Sequence, residues 1–347
     1  MALRWGIVTA GKISHDFVNA FNTYPDVGDQ AIVAIAARNK AKAAEFAKLH
    51  NIPKVFDSYK ALAESNDIDV VYIGALNPDH YHLSILFLEN GKHVLCEKPF
   101  CMNQKQGKSL ASFAKKKKLF LMEALWSRFS PAYVALEKEL ESGVLGEIQH
   151  VEVNFGIDVE SERILKKELG GSTLLDLGCY TLQLAQYVFK EEPRNVIAVG
   201  NLNDDGVDTS ETIILEYSGG RRAVLNTNVH LKLWNKATIY GKKGRITVSC
   251  FTAYVEEPFH FPDSYTDANG ELNTFPLHTS TLPYNFGNSA GLVFQALETA
   301  RCIKAGLLES PRMPHKETLI LCKLEDDIRK QLGVHYDVDD QDYPIYT

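Results

Sequence analysis

GIVTAGKIS, residues 6–14, follows the short apolar start Leu3-Arg4-Trp5 and leads into a helical pattern with Phe17, Val18 and Phe21 on one face. A strand, a glycine-bearing turn and a helix start in that order form the entry to a dinucleotide-binding α/β fold. The G-x-G-x-x-G pattern laid over the turn reads Thr9-Ala10-Gly11-Lys12-Ile13-Ser14, with glycine only at its middle position. Gly11 stands where backbone must approach a pyrophosphate, and Ser14 is small enough for close helix–strand contact. Thr9 occupies the position where glycine usually makes the tight turn. Thr9, Gly11, Lys12 and Ile13 are therefore the candidate cofactor cradle, with the free amides and dipole of the helix start facing the anion. Alone, this loop does not decide the matter; its surroundings do.

Residues 3–125 alternate strand and helix. Apolar runs of strand length at 31–37, 70–76, 93–99 and 119–125 are interleaved with helix-forming stretches such as 39–50 and 80–91. Continuous apolar strands separated by helices predict a doubly wound parallel sheet with ligands at the carboxyl ends of its strands. From about Trp126 the pattern changes. One helix (131–142) is followed by strand-like runs at 148–155, 195–202, 210–217, 222–230 and 236–249. Turn residues between them, including Ser218-Gly219-Gly220 and Gly241-Lys242-Lys243-Gly244, predict a largely antiparallel sheet in an α+β second domain. A helix over 170–189 interrupts the strands, and helices at about 288–305 and 315–332 end the chain. The expected division is a cofactor domain, 1–125, and a substrate and dimerisation domain, 126–347.

A chain of 347 residues exceeds what one core usually fills, which fits two domains. Its composition, 45% hydrophobic and 23% charged, is that of a soluble enzyme, and no apolar run approaches the roughly 18 residues of a membrane span. Arg4, Lys12 and His15 interrupt any leader-like apolar stretch. Cysteines 96, 101, 179, 250, 302 and 322 show no C-x-x-C pairing, so reduced thiols in a cytoplasmic protein are expected, with neither a disulfide framework nor a metal site. The net charge of −7 divides into +4 over residues 1–125 (16 Lys and Arg, 12 Asp and Glu) and −11 beyond (21 and 32), a balance that suits an anionic cofactor in the first part. The run Lys115 to Lys118 is read as a solvated helix end complementing the dipole, so no nucleic acid partner is expected.

The chemistry lies at the strand ends. The second strand ends in Ala37-Arg38-Asn39, without the acid that would hold a ribose 2′-hydroxyl. Arg38 suits a 2′-phosphate, favouring NADP over NAD, the alternative being a surface arginine capping a strand. Asn77-Pro78-Asp79-His80 follows the strand 70–76 on the nicotinamide side, where His80 faces either cofactor or solvent. Cys96-Glu97-Lys98-Pro99 ends the next strand. Desolvation and a cationic nicotinamide would lower the Lys98 pKa, suiting it to polarise a carbonyl or relay a proton; the alternative is a strand-end ion pair. Lys98–Pro99 is a candidate cis peptide. Asp176 and Tyr180 stand at i and i+4 on one helix face, and a neighbouring ammonium would lower the phenol pKa enough for it to take a proton from an alcohol. A core tyrosine bonded to its aspartate is the alternative. Trp126, Arg128 and Phe129 are candidates for the substrate-pocket wall or for packing at the domain junction.

Together, Glu97-Lys98-Pro99 and Gly170-Gly171-Ser172-Thr173-Leu174-Leu175-Asp176-Leu177-Gly178-Cys179-Tyr180 resemble the E-K-P and G-G-x-x-L-x-D-x-G-x-[HY] marks of the glucose–fructose oxidoreductase / inositol dehydrogenase (Gfo/Idh/MocA) family. The resemblance covers essentially the whole chain and weakens after about Ser249. It implies an N-terminal Rossmann domain and a C-terminal open sheet that pairs two subunits into a homodimer. It further implies Lys98 and Tyr180 on either side of the reacting carbon, with Asp176 and His80 in support. Asn77, Pro78, Glu97 and Lys98 are expected beside the cofactor, Lys98 on its ribose. Members that oxidise cyclitols carry His at the last motif position; Tyr180 is similar to the dihydrodiol and glucose–fructose branches. The expected reaction is hydride transfer from a carbinol of a vicinal diol or aldose to NADP, converting a trans-dihydrodiol to a catechol or D-xylose to its lactone. The alternatives are an NADPH-dependent reductase of sugar-derived ketones or dicarbonyls, and a non-catalytic NADP-binding regulator.

Overall fold

Six parallel strands, β1 (Leu3–Val8), β2 (Gln30–Ala36), β3 (Lys54–Phe56), β4 (Val70–Ile73), β5 (His93–Glu97) and β6 (Leu121–Ala124), pair in the order β3-β2-β1-β4-β5-β6 in the computed structural model, which describes residues 2–159, 161–249 and 263–347. Every residue of β4 and β6 is buried, because helices cover both faces of the sheet; this is why the strands read as unbroken apolar runs. The covering helices are α1 (Lys12–Thr23), α2 (Lys40–His50), α3 (Tyr59–Glu64), α4 (His80–Glu89) and α5 (Gln104–Lys117). Lys118 caps α5 in a left-handed conformation, and Lys115, Lys116 and Lys117 complement its dipole. Trp5, Phe17, Phe21 and Tyr72 pack in the core, with the Phe17 and Tyr72 rings stacked at 3.8 Å. The strand order reverses between β1 and β4, so a crevice opens beyond their carboxyl ends.

The second sheet, of eight strands, has the order β14-β13-β12-β11-β7-β10-β9-β8. Its strands are β7 (Ile148–Gly156), β8 (Asn195–Leu202), β9 (Asp208–Glu216), β10 (Arg222–Asn228), β11 (Lys236–Gly241), β12 (Gly244–Ser249), β13 (Asp263–Thr266) and β14 (Leu272–Phe275). All pairs are antiparallel except β7–β10, so the fold is a Rossmann sheet joined to a mostly antiparallel one. The run 236–249 is a hairpin, folded back at the Gly241-to-Gly244 turn that the sequence marks. The remaining helices are α6 (Pro131–Glu141), α7 (Glu162–Leu165), α8 (Cys179–Phe189), α9 (Val293–Lys304) and α10 (His315–Leu332). The helix expected over 170–189 starts instead with a π-helical turn, Leu174–Gly178, that runs into α8.

Two later segments return to the first sheet's helices. The C-terminal tail lays Tyr343 edge-on against Tyr81 and Tyr346 against Phe113 of α5. Residues 278–289 run along α1. Among the described residues no helix is long and apolar enough to cross a membrane, and the five cysteines are all free thiols. Cys250 lies outside the described residues.

Candidate active site

At the carboxyl end of β1, Thr9 has φ +76°, a conformation rare for a β-branched residue. Its hydroxyl donates to the Gly74 carbonyl at 2.5 Å and lies 3.2 Å from Ser14 Oγ, and its amide donates to Ala36 O at 3.0 Å. A strained backbone costs about 1–3 kcal/mol, which these bonds offset. The close-packing role usually given to a third glycine falls to the residue just after β4: a Cβ on Gly74 would lie 2.5 Å from Ser14 Oγ. Gly11 is the N-cap of α1 and supplies no side-chain cap, so the first-turn amides are unspent. A Cβ on Gly11 would meet nothing closer than Thr9 Oγ1 at 3.4 Å, so the protein itself leaves this approach open. The cradle fits a dinucleotide pyrophosphate. Arg38 and Lys12 are exposed at its rim, and Arg38 makes no ion pair among the described residues.

Across the crevice, Lys98 Nζ donates to the Asp176 main-chain carbonyl at 2.8 Å and to Asp176 Oδ1 at 2.9 Å, and lies 5.0 Å from the centre of the Tyr180 ring. The π-helical turn brings this about: it places Asp176 and Tyr180 on one side, both facing the β5 end. Arg163 of α7 forks onto the same carboxylate, Nη1 to Oδ1 at 2.8 Å and Nη2 to Oδ2 at 2.9 Å. Burial would favour a protonated Asp176, but Arg163 and Lys98 outweigh it and hold the carboxyl below the usual range. Tyr180 is buried, and Trp126 Nε1 donates to its hydroxyl at 2.9 Å.

Two expected pKa directions are reversed. Burial pulls the Lys98 ammonium down, yet the Asp176 charge more than compensates, leaving it well above 10.5. Burial pushes the Tyr180 phenol above 10 and wins over the lowering by Lys98 and by the Trp126 N–H. Glu97 is buried, accepts from Tyr72 Oη at 2.7 Å and from the Lys98 amide at 3.3 Å, and is pushed up to about 7, chiefly by burial.

The other expected residues divide. His80 is fully buried, with Nδ1 2.7 Å from Pro99 O and Nε2 3.1 Å from Ala75 O. It ties the cis Lys98–Pro99 turn to the end of β4, so of the two orientations expected for His80 the ring takes neither and faces main-chain carbonyls inside the fold. Asn77 Nδ2 donates to Gly170 O at 3.0 Å, and Pro78 packs on Gly170, where a Cβ would lie 2.6 Å from its ring; these two join the sheets as well as facing the crevice. Arg128 is 3% exposed and spent on Gln183 and Glu317, and Phe129 is buried. Both are packed inside the fold, while Trp126 touches Tyr180 directly.

Arg163 and Asp208 are site-forming residues that the sequence did not reveal. Asp208 Oδ2 accepts from the Leu174 amide at 2.7 Å and Ser172 Oγ at 3.0 Å, capping the turn that carries Asp176. Arg163 sits in α7, a single helical turn too short to show a period, and Asp208 is remote in sequence; neither carries a local signal. Among the described residues no group of His, Cys, Asp or Glu could hold a metal ion.

A nucleotide crevice on a Rossmann sheet, closed by a second α/β unit, is the architecture of an NAD(P)-binding oxidoreductase. The oxidoreductase family model with an NAD-binding Rossmann fold matches residues 3–125, and the GFO/IDH/MocA C-terminal domain model matches residues 133–247. The chain belongs to this family of enzymes. It is 42% identical over 338 residues to trans-1,2-dihydrobenzene-1,2-diol dehydrogenase of Xenopus tropicalis, covering 97% of this chain and 100% of that one. Among solved structures it is similar to a 3-ketoreductase from Actinomadura kijaniata with NADP bound, at TM-score 0.78 and 23% identity over 96% of this chain and 98% of that one. It is also similar to a levoglucosan dehydrogenase with NADH bound, at TM-score 0.79 and 20% identity over the same shares of the two chains. At these identities the two structures speak for the fold alone.

Proposed function

We propose that this enzyme is an NADP-dependent dehydrogenase acting on vicinal diols and aldoses, taking a trans-dihydrodiol to a ketol that aromatises to a catechol, or D-xylose to its lactone. The observation that carries the reading is the Lys98–Asp176–Tyr180–Trp126 constellation beside the crevice. Of the three Lys98 N–H groups, two are spent on Asp176, leaving one for a substrate oxygen. The Trp126 N–H occupies one side of the Tyr180 oxygen, so the phenolic O–H is left to face the substrate hydroxyl. Held in the cradle of Thr9, Gly11, Lys12 and Ile13, NADP+ would supply the hydride acceptor for oxidation; Tyr180 as phenolate would take the hydroxyl proton of the carbinol. A diol suits two adjacent oxygen partners, Tyr180 and Lys98. Full-length relatives named for dihydrodiol dehydrogenation support this substrate class.

Arg38, with no acid beside it, supports NADP over NAD. The open face of the second sheet, where Val199 is 63% exposed, and the connection between β10 and β11, where Trp234 is 72% exposed, support pairing of two subunits. The free thiols support a cytoplasmic setting. One observation favours the reverse reaction as a second reading. A phenol held protonated is suited to donate, as reduction of a sugar-derived ketone or dicarbonyl requires. A panel of benzene dihydrodiol, D-xylose and D-glucose with NADP+, and of 1,5-anhydrofructose with NADPH, tests both. Turnover of none of the diols or aldoses overturns the first reading.

A further inference from the structure

The segment 278–291 lies along α1 and ends against Trp126. His278 Nε2 is 3.0 Å from Ala20 O, Asn19 Nδ2 donates to Leu282 O at 3.0 Å, and His15 Nε2 is 3.0 Å from Pro283 O. Asn285 Nδ2 then reaches Lys12 O at 3.3 Å, in the helix turn that forms the phosphate cradle. These four contacts step from the far end of α1 towards its cofactor end, while the Tyr284 hydroxyl, 3.4 Å from Thr23 Oγ1, reaches back to the far end.

Asp16 fastens this run. It is fully buried, and its carboxylate accepts from the Asn285 amide at 2.9 and 3.1 Å, Asn285 Nδ2 at 2.8 Å, the Phe286 amide at 3.0 Å and Ser289 Oγ at 2.6 Å. Hydrogen bonds to a charged acceptor are the strong kind, and this many on one buried carboxylate make a specific joint. Just beyond it, Gly291 lies under the Trp126 indole, where a Cβ would sit 2.9 Å from Cζ3 and 3.3 Å from Cε3. Only glycine lets the indole lie there, and that indole donates to Tyr180.

We infer that Asp16 and Gly291 are positioning residues: through the segment between them, the helix that cradles the cofactor phosphates sets the placement of Trp126 on the catalytic tyrosine. The path of contacts runs Lys12, Asn285, Asp16, Ser289, Gly291, Trp126, Tyr180, each touching the next or joined to it through one intervening residue. Binding at the cradle and proton transfer at Tyr180 then share one rigid connection. The Trp126 half of the proposal rests on the reading of Tyr180 as the proton-transfer group; the Asp16 half does not.

The test uses the whole enzyme with Asp16→Asn, which turns an amide towards four donors, and Gly291→Ala, which displaces the indole. NADPH affinity is read by fluorescence titration, and kcat with its pH profile is read with benzene dihydrodiol or D-xylose and NADP+. Asp16→Asn weakens NADPH about tenfold and lowers kcat at least tenfold. Gly291→Ala keeps NADPH affinity within twofold, lowers kcat about tenfold, and moves the basic limb to higher pH because the phenolate has lost its N–H donor. A general loss of stability does not produce that split. Should Asp16→Asn fail to fold, Ser289→Ala removes one bond of the same joint and takes its place, with a smaller weakening expected. A folded Asp16→Asn enzyme with NADPH affinity and kcat within twofold of the parent overturns the Asp16 half. An unchanged Gly291→Ala pH profile overturns the Trp126 half. Full activity in Tyr180→Phe overturns the tyrosine reading and the Trp126 half with it, while NADPH binding by Asp16→Asn still decides the Asp16 half.

Discussion

The Trp126 indole donates to the Tyr180 hydroxyl at 2.9 Å while Lys98 lies 5.0 Å from the same ring, so a buried phenol has a neutral donor and a cation as its neighbours. Burial nevertheless keeps the phenol above its ordinary value. Oxidation needs the phenolate, so its rate is expected to rise with pH through the alkaline range, while reduction stays level there. Tyr180→Phe and Lys98→Met are each expected to lower kcat by about 10²–10⁴, the usual worth of acid–base catalysis, with NADPH affinity changed only a few fold. Initial rates from pH 6 to 10 in both directions, beside a fluorescence titration, check this.

Glu97 and Glu123 are both held near 7, chiefly by burial, against an ordinary 4.5. Between these values the unfolded chain releases protons that the folded one keeps. Stability is therefore expected to fall as pH rises from about 4.5 to 7 and to level off above, by at most roughly 3 kcal/mol per group. The double variant Glu97→Gln/Glu123→Gln should melt at a higher temperature than the parent at pH 8 and close to it at pH 5. Thermal melts at the two pH values decide; a parent Tm independent of pH contradicts the assignment.

Arg38→Ala is expected to reduce the preference for NADPH over NADH at least tenfold, because the lost contact is a charge-assisted fork on one phosphate. Affinity for NADH should change little. Parallel titrations of the two cofactors measure the ratio, and an unaltered ratio removes the argument for NADP.

Thr9→Val keeps the branched side chain in its unusual backbone and removes the hydroxyl from Gly74 O. It is expected to cost about 1–2 kcal/mol of stability and to weaken NADPH. Thr9→Gly loses the same bond but relieves the backbone, so it should lie between Thr9→Val and the parent. Denaturant unfolding of the three proteins gives the order.

Ile197 and Val199 point to the open face of the second sheet, opposite Ala198, which packs towards α10. Val199→Lys together with Trp234→Glu is expected to yield monomers that fold normally. Light scattering after size exclusion shows whether the parent is a dimer and whether the variant is not.

The parallel sheet was legible because strands buried on both faces leave unbroken apolar runs, and helices between them leave a different period. Lys98, Asp176 and Tyr180 were legible because E-K-P and D-x-G-x-Y keep fixed local spacings. What was hidden depends on pairing across the fold. The bidentate hold of Arg163 on Asp176, the cap of Asp208 on Leu174 and the joint of Asp16 with Asn285 all join residues without a shared period. The reversed pKa directions of Lys98 and Tyr180 have the same origin. Neighbouring charge was visible in the sequence, but the depth of burial and the Asp176 contact that decide the sign were not.

Gly74, the residue after β4, does for Ser14 what the last glycine of the usual fingerprint does within its own loop. The small residue belongs to a contact between helix and sheet, and either partner can supply it. Ancestral loops can therefore drift away from glycine without loss of the cradle, provided the opposite strand has already given up its side chain. In this chain the site is therefore read from a pair of places, the turn after β1 together with the residue after β4, and not from the loop alone.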